Sequence, residues 1–175
     1  MFKFDTPDAA KAWQTVNDGV MGGLSDGRVK MTDKKTMEFF GSLSLQNNGG
    51  FASVRSRPDK LNLKEGDTLV ARVQGDGRDY FWNLYVPARQ VAYSYRAPFK
   101  TKEGQWIEVR VPVKDFYATS FGRRVPNAPL EPDKVNSLGF LLADKKAGPF
   151  KLEVEWIKVT QAGSRETPGK EGASE

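Results

Sequence analysis

The chain has 175 residues, with 27 Lys plus Arg against 22 Asp plus Glu and a net charge of +5, which suits one domain. Eleven Phe, 4 Trp and 5 Tyr supply enough core material to exclude a globally disordered chain. Cys and His are both 0, which removes disulfides, Cys/His zinc sites, the Ser-His-Asp triad, the Cys-His dyad and histidine acid–base chemistry.

The N-terminal run Met1-Phe2-Lys3-Phe4-Asp5 leads to Pro7 and Asp8 with no apolar signal core, and the expected compartment is the cytoplasm. The stretch Leu138 to Ala143 is far shorter than the ~20 apolar residues of a membrane span, so no membrane insertion is expected. Asp8 to Trp13 is read as a turn or short helix. Leu43-Ser44-Leu45 alternates, Asn47-Asn48-Gly49-Gly50 follows, and Phe51 to Arg55 is extended again. Asn-Gly between two such runs predicts a hairpin, because both residues tolerate positive φ.

Leu69, Ala71 and Val73 alternate, and Gly75-Asp76-Gly77 turns the chain. Tyr80 to Val86 is apolar on both faces, the pattern of a central strand, and Trp82 reads as core. Ile107, Val109 and Val111 share a face, as do Phe150, Leu152, Val154 and Trp156. Adjacent Trp156 and Ile157 break that phase and predict a bulge or a strand end. Single helical turns are expected at Val113 to Phe116 and at Pro132 to Val135. The segment from Gln161 to Glu175 has no aromatic or branched aliphatic residue and is expected to be a disordered tail after a domain over 1–160. Many short strands with Gly and Pro punctuation predict an all-β antiparallel sandwich or jelly roll.

Two Gly-rich segments stand out: Trp13 to Ser25, with Asn17-Asp18-Gly19-Val20-Met21-Gly22-Gly23, and Phe40 to Arg55, with Asn47-Asn48-Gly49-Gly50-Phe51-Ala52-Ser53. Neither is a phosphate loop, since no Gly-Lys-Ser/Thr follows. Turn-making explains such glycines without any ligand. Both segments closely resemble the complex I intermediate-associated protein 30 family. The resemblance continues through Gly75 to Tyr80, Trp106, Val111-Pro112-Val113 with Phe116, Leu138-Gly139-Phe140, Asp144-Lys145 and Gly148-Pro149-Phe150. It ends in Leu152, Val154 and Trp156-Ile157.

The resemblance implies a galactose-binding-like jelly roll. It also implies a non-catalytic module that acts in assembly of a membrane-associated complex, since mitochondrial members are assembly factors for respiratory complex I. The expected partner is a protein, with a membrane-complex subunit as the first choice, and no cofactor or metal is assigned. A carbohydrate-binding module is the alternative, because sugars want aromatic planes with Asn, Asp and Arg beside them. Candidate partner-binding residues are Asn17, Asp18, Asn48, Arg55, Arg57, Asp79, Tyr80 and Asp144. Arg55 and Arg72 are open to a second reading, pairing with a carboxylate such as Asp18, Asp79 or Asp144 in a structural network. Those three carboxylates are also all that a glycosidase mechanism could use. A nucleic-acid role is the third reading. The basic residues are scattered over Arg55, Arg57, Lys60, Lys64, Arg123-Arg124 and Lys145-Lys146, which argues against it.

Overall fold

Period-2 alternation builds two sheets in a computed structural model that describes residues 2–87 and 93–161. The first six strands are β1 (Phe2–Lys3), β2 (Trp13–Asn17), β3 (Asp26–Met31), β4 (Met37–Leu43), β5 (Ala52–Ser56) and β6 (Thr68–Gln74). The rest are β7 (Asp79–Tyr85), β8 (Ser94–Lys100), β9 (Trp106–Pro112), β10 (Tyr117–Ser120), β11 (Arg123–Arg124), β12 (Ser137–Leu142) and β13 (Gly148–Thr160). One sheet has the order β3-β4-β13-β6-β9, with β1 also paired to β13, and the other β11-β10-β8-β7-β12-β5-β2. All pairings between these strands are antiparallel. The expected antiparallel β-sandwich is the fold observed.

The core lies between the sheets. Phe39, Leu69, Val73 and Leu152 come from one, and Val54, Trp82, Leu84 and Phe140 from the other. Trp82 is fully buried, with the Phe140 ring 5.5 Å away, so its core reading stands. In β13 the register shifts between Val154 and Trp156. The bulge turns Trp156 outward and seats Ile157 in the core, at 1% exposure, so Trp156 does not share the inward face of Phe150, Leu152 and Val154. Short 3-10 turns occupy Pro7–Ala12, Val113–Asp115 and Pro132–Lys134, near the expected places.

The expected hairpin fails. Asn47 to Gly50 does not close a hairpin, because β4 pairs with β3 and β13 while β5 pairs with β12 and β2 in the other sheet. The segment is a crossover between sheets. Strand β8 also escapes the sequence reading, since Pro98 lacks the N–H that an internal strand supplies. It is tolerated because β10 pairs only with Ser94 to Arg96, leaving β8 an edge at Pro98. The C-terminal segment read as a tail lies, from residue 162 onward, outside the described residues.

Candidate functional site

The two Gly-rich segments fold onto one buried carboxylate. Asp18 is 1% exposed. Its oxygens accept from the backbone N–H of Ser25 at 2.9 Å, the Ser25 hydroxyl at 2.6 Å, and the N–H groups of Gly50 at 2.7 Å and Phe51 at 3.3 Å. Burial by itself would raise this carboxyl, but the donors from Ser25, Gly50 and Phe51 outweigh it and hold the group below its ordinary value. The same donors explain the missing hairpin, since they bind the chain to Asp18 instead of to a neighbouring strand. Gly50 sits at φ +126, a conformation open to glycine. The fit is close: a Cβ at Gly49 would come within 2.6 Å of the carboxylate.

What this clamp presents is apolar. Val20, Met21 and Leu24 are 76%, 61% and 58% exposed, and Leu45 on the facing loop 44%. The loops touch, with Asn47 Nδ2 donating to the Gly22 carbonyl at 3.2 Å and the Ser25 hydroxyl bridging to Ser44. Phe121, at 84% exposure, is far off in sequence on the β10–β11 turn.

A second clamp stands between β6–β7 and β12–β13. Arg78 donates in bidentate fashion to Asp144, at 2.9 and 2.7 Å, and to the carbonyls of Gly148 and Pro149 at 3.1 Å, with Lys146 as a further acceptor. The two side chains are 12% and 7% exposed. Burial would raise the Asp144 carboxyl, and Arg78 with the Lys146 N–H more than reverses this, so it too lies below its ordinary value. Alongside, Asp76 accepts from the Tyr80 hydroxyl at 3.1 Å and the Lys151 N–H at 2.8 Å.

The expected site residues therefore divide. Asp18, Tyr80 and Asp144 are interior, and their polar atoms are used within the chain, so they are not available at a surface. Tyr80 is fully buried, and burial pushes its hydroxyl above the ordinary range. Asn17 donates to the Gly27 carbonyl at 3.0 Å. Asn48 is exposed on the clamped loop, at φ 56. Arg57 is exposed and donates to the Lys11 carbonyl at 2.6 Å. Asp79 is exposed at the end of β7, opposite Lys100. The three carboxylates offered for hydrolysis sit in three different surroundings: one in each clamp and one at a strand end.

Arg55 belongs to another place, the outer face of the seven-stranded sheet, and none of those carboxylates pairs with it. Since Tyr80, Trp82 and Leu84 point into the core, Phe81, Asn83 and Tyr85 point out. The register aligns Gln14, Arg55, Gly139, Asn83, Arg96 and Tyr117 in one row across β2, β5, β12, β7, β8 and β10. The Arg55 guanidinium lies 4.5 Å from the Tyr85 ring centre, Arg96 4.9 Å from Phe81, and Arg124 4.6 Å from Tyr117. Asn83 is 3% exposed and donates to the Tyr85 hydroxyl at 3.2 Å, while the other end of its carboxamide has no partner. The Arg96 Nε is likewise buried without an acceptor. Burial lowers the Arg96 guanidinium from its ordinary value and raises the Tyr85 hydroxyl, the latter against the pull of Arg55, Asn83 and Arg96. Of this row only Arg55 was picked out by sequence. The alternation of Tyr80 to Tyr85 could have added Asn83 and Tyr85, whereas Arg96 needed β8.

The sequence model for complex I intermediate-associated protein 30 matches residues 2–154. A mouse mitochondrial protein of that name is 29% identical over 91% of this chain and 55% of its own length. A Neurospora crassa protein of that name is 37% identical over 94% and 75%. The chain thus spans little more than half of the mouse relative. Among solved structures, a family 11 carbohydrate-binding module from Clostridium thermocellum superposes with TM-score 0.69 at 14% identity, covering 95% of this chain and 97% of that one. A family 30 module from the same organism gives 0.60 at 14% identity, covering 87% and 93%. At such identity the likeness shows the fold alone. No helix among the described residues is long and apolar enough to cross a membrane.

Proposed function

Because the chain belongs to the complex I intermediate-associated protein 30 family, we propose that it is a non-catalytic binding module that holds a subunit of a membrane-associated complex during assembly. The observation that carries this reading is the apolar tip formed by Val20, Met21, Leu24 and Leu45. Large apolar side chains left in water on a firmly bonded loop are a protein-contact feature. The Asp18 clamp gives that tip a fixed shape, so little conformational entropy is lost when a partner docks. The domain acts from the aqueous side of the membrane that holds the complex. The expected compartment is the cytoplasm, whereas the named relatives are mitochondrial.

The test is affinity capture of the full chain from its native host, with the retained subunits identified by mass spectrometry. Subunits of NADH:ubiquinone oxidoreductase intermediates, or of another membrane complex caught before completion, are expected. Met21→Asp with Leu24→Asp should lose them while the fold persists. Retention of the same subunits by that folded variant would refute the reading.

The carbohydrate reading has one favourable observation, the aromatic and Arg/Asn mixture on the seven-stranded sheet. Its test is a glycan array with the isolated chain, where a blank result removes it.

A further inference from the structure

The outer faces of the two sheets treat their cations differently. On the six-stranded sheet, Arg28 meets Asp26, Lys30 meets Glu38, Arg72 meets Glu155 and Arg110 meets Glu108. Cations lie over aromatic rings on both sheets, Lys30, Arg72 and Lys158 on the six-stranded sheet and Arg55, Arg96 and Arg124 on the seven-stranded one. The second three differ in lacking an acid: among the described residues, no carboxylate pairs with any of them. The outward strand positions there carry one acid, Asp79, at the far end opposite Lys100.

A desolvated guanidinium with an unused N–H, beside a buried carboxamide with one unused end, is costly for an isolated chain. Arg55 and Arg96 are each only partly buried, so the outer part of each guanidinium is open to an incoming anionic oxygen. Between Arg55 and Asn83 the row holds Gly139, which is buried and carries no side chain. No side chain can be accommodated there: a Cβ would come within 2.0 Å of the Val54 carbonyl oxygen.

We propose that this face binds an acidic segment of a polypeptide partner in extended form, with Arg96 and Arg55 each taking a carboxylate. The polypeptide identity of the ligand rests on the assembly reading above. The charge and the unpaired groups do not depend on it. Arg55 and Arg96 are three strand spacings apart, roughly 14 Å. An extended chain covers about that distance in four residues, so acidic residues at i and i+4 fit the two guanidiniums.

The probe is a fluorescein-labelled, C-amidated peptide Glu-Ser-Gly-Ser-Glu, compared with Gln-Ser-Gly-Ser-Gln, in anisotropy titrations of the full chain at low salt. The Glu peptide should bind and the Gln peptide should not. Arg96→Gln or Arg55→Gln should weaken binding about tenfold or more, with Lys34→Gln, on the far turn, as an unaffected control. Circular dichroism and the melting temperature establish that the variants are folded, and half-exposed Arg55 serves should Arg96→Gln fail to fold. Absence of binding, equal binding of the Gln peptide, or undiminished binding by a folded Arg variant would overturn the proposal. Binding of polygalacturonate in place of the peptide would overturn it too, in favour of an acidic sugar. Capture experiments separate the two readings. If Arg55→Gln with Arg96→Gln keeps the assembly subunits, this inference fails and the apolar-tip reading survives. If the unaltered chain captures none, the assembly reading fails, whatever the peptide does.

Discussion

The clamps and the open sheet face use the same chemistry to opposite ends. At Asp18 and at Arg78–Asp144, charged groups are buried and have their bonding capacity filled by neighbours in the chain. At Arg96 and Asn83, polar atoms are buried and left unfilled. The difference teaches that an unusual residue pattern and a binding site need not coincide. The Asn/Asp/Gly signatures mainly shape loops, although Asn17 Oδ1 there is unfilled as well, whereas Asn83 and Arg96 lie in strands with ordinary sequences.

Several variants would break or sharpen this contrast. The largest effect is expected for Arg78→Met, which strands Asp144 without its guanidinium. Removing one partner of a buried pair costs about 3–5 kcal/mol, and chemical denaturation should read a loss of that size. Gly139→Ala should also cost a few kcal/mol, on the order of 2–4, because its Cβ meets backbone that cannot swing aside. A denaturation midpoint near that of the parent would show that β5 can shift. Asp18→Ala should cost roughly 2–3 kcal/mol by leaving the donors of Ser25, Gly50 and Phe51 unanswered. It should also free the 18–25 loop, seen as faster amide exchange there.

Acid offers a graded version of the same test. Asp18 and Asp144 both have carboxyls below their ordinary value in the folded chain, so the unfolded chain binds more protons over that interval. Their stabilisation is complete above the ordinary carboxylate value near 4 and fades as pH falls through the folded-state values. Asp18→Ala should flatten the acid limb of a stability–pH curve. An unchanged limb would mean that Asp18 titrates normally. The smallest stability effect is expected for Arg96→Gln, within about 1 kcal/mol of the parent, because no bond to a carboxylate is lost.

Much of the fold was legible because it rests on local alternation. Leu69, Ala71 and Val73 face inward as read, and the phase break at Trp156 and Ile157 marks a real bulge. The Asn48-Gly49 hairpin was misread because its strands have the right pattern and the wrong partners. Only Asp18, far away in sequence, determines where Gly50 and Phe51 bond. The site was less legible for a related reason. A carboxylate such as Asp18 or Asp144 reads the same whether satisfied or free. Arg96 lies in a strand that Pro98 conceals and becomes notable only once its neighbours prove to lack an acid.

The most direct test is hydrogen-exchange mass spectrometry of the chain, alone and with the membrane-complex subunit it captures. New protection is expected at residues 19–24 and 44–50 and along β5, β7 and β8, with the six-stranded sheet unchanged. Protection centred on β3, β4 and β13, with the apolar tip and the open face unaffected, would contradict that expectation.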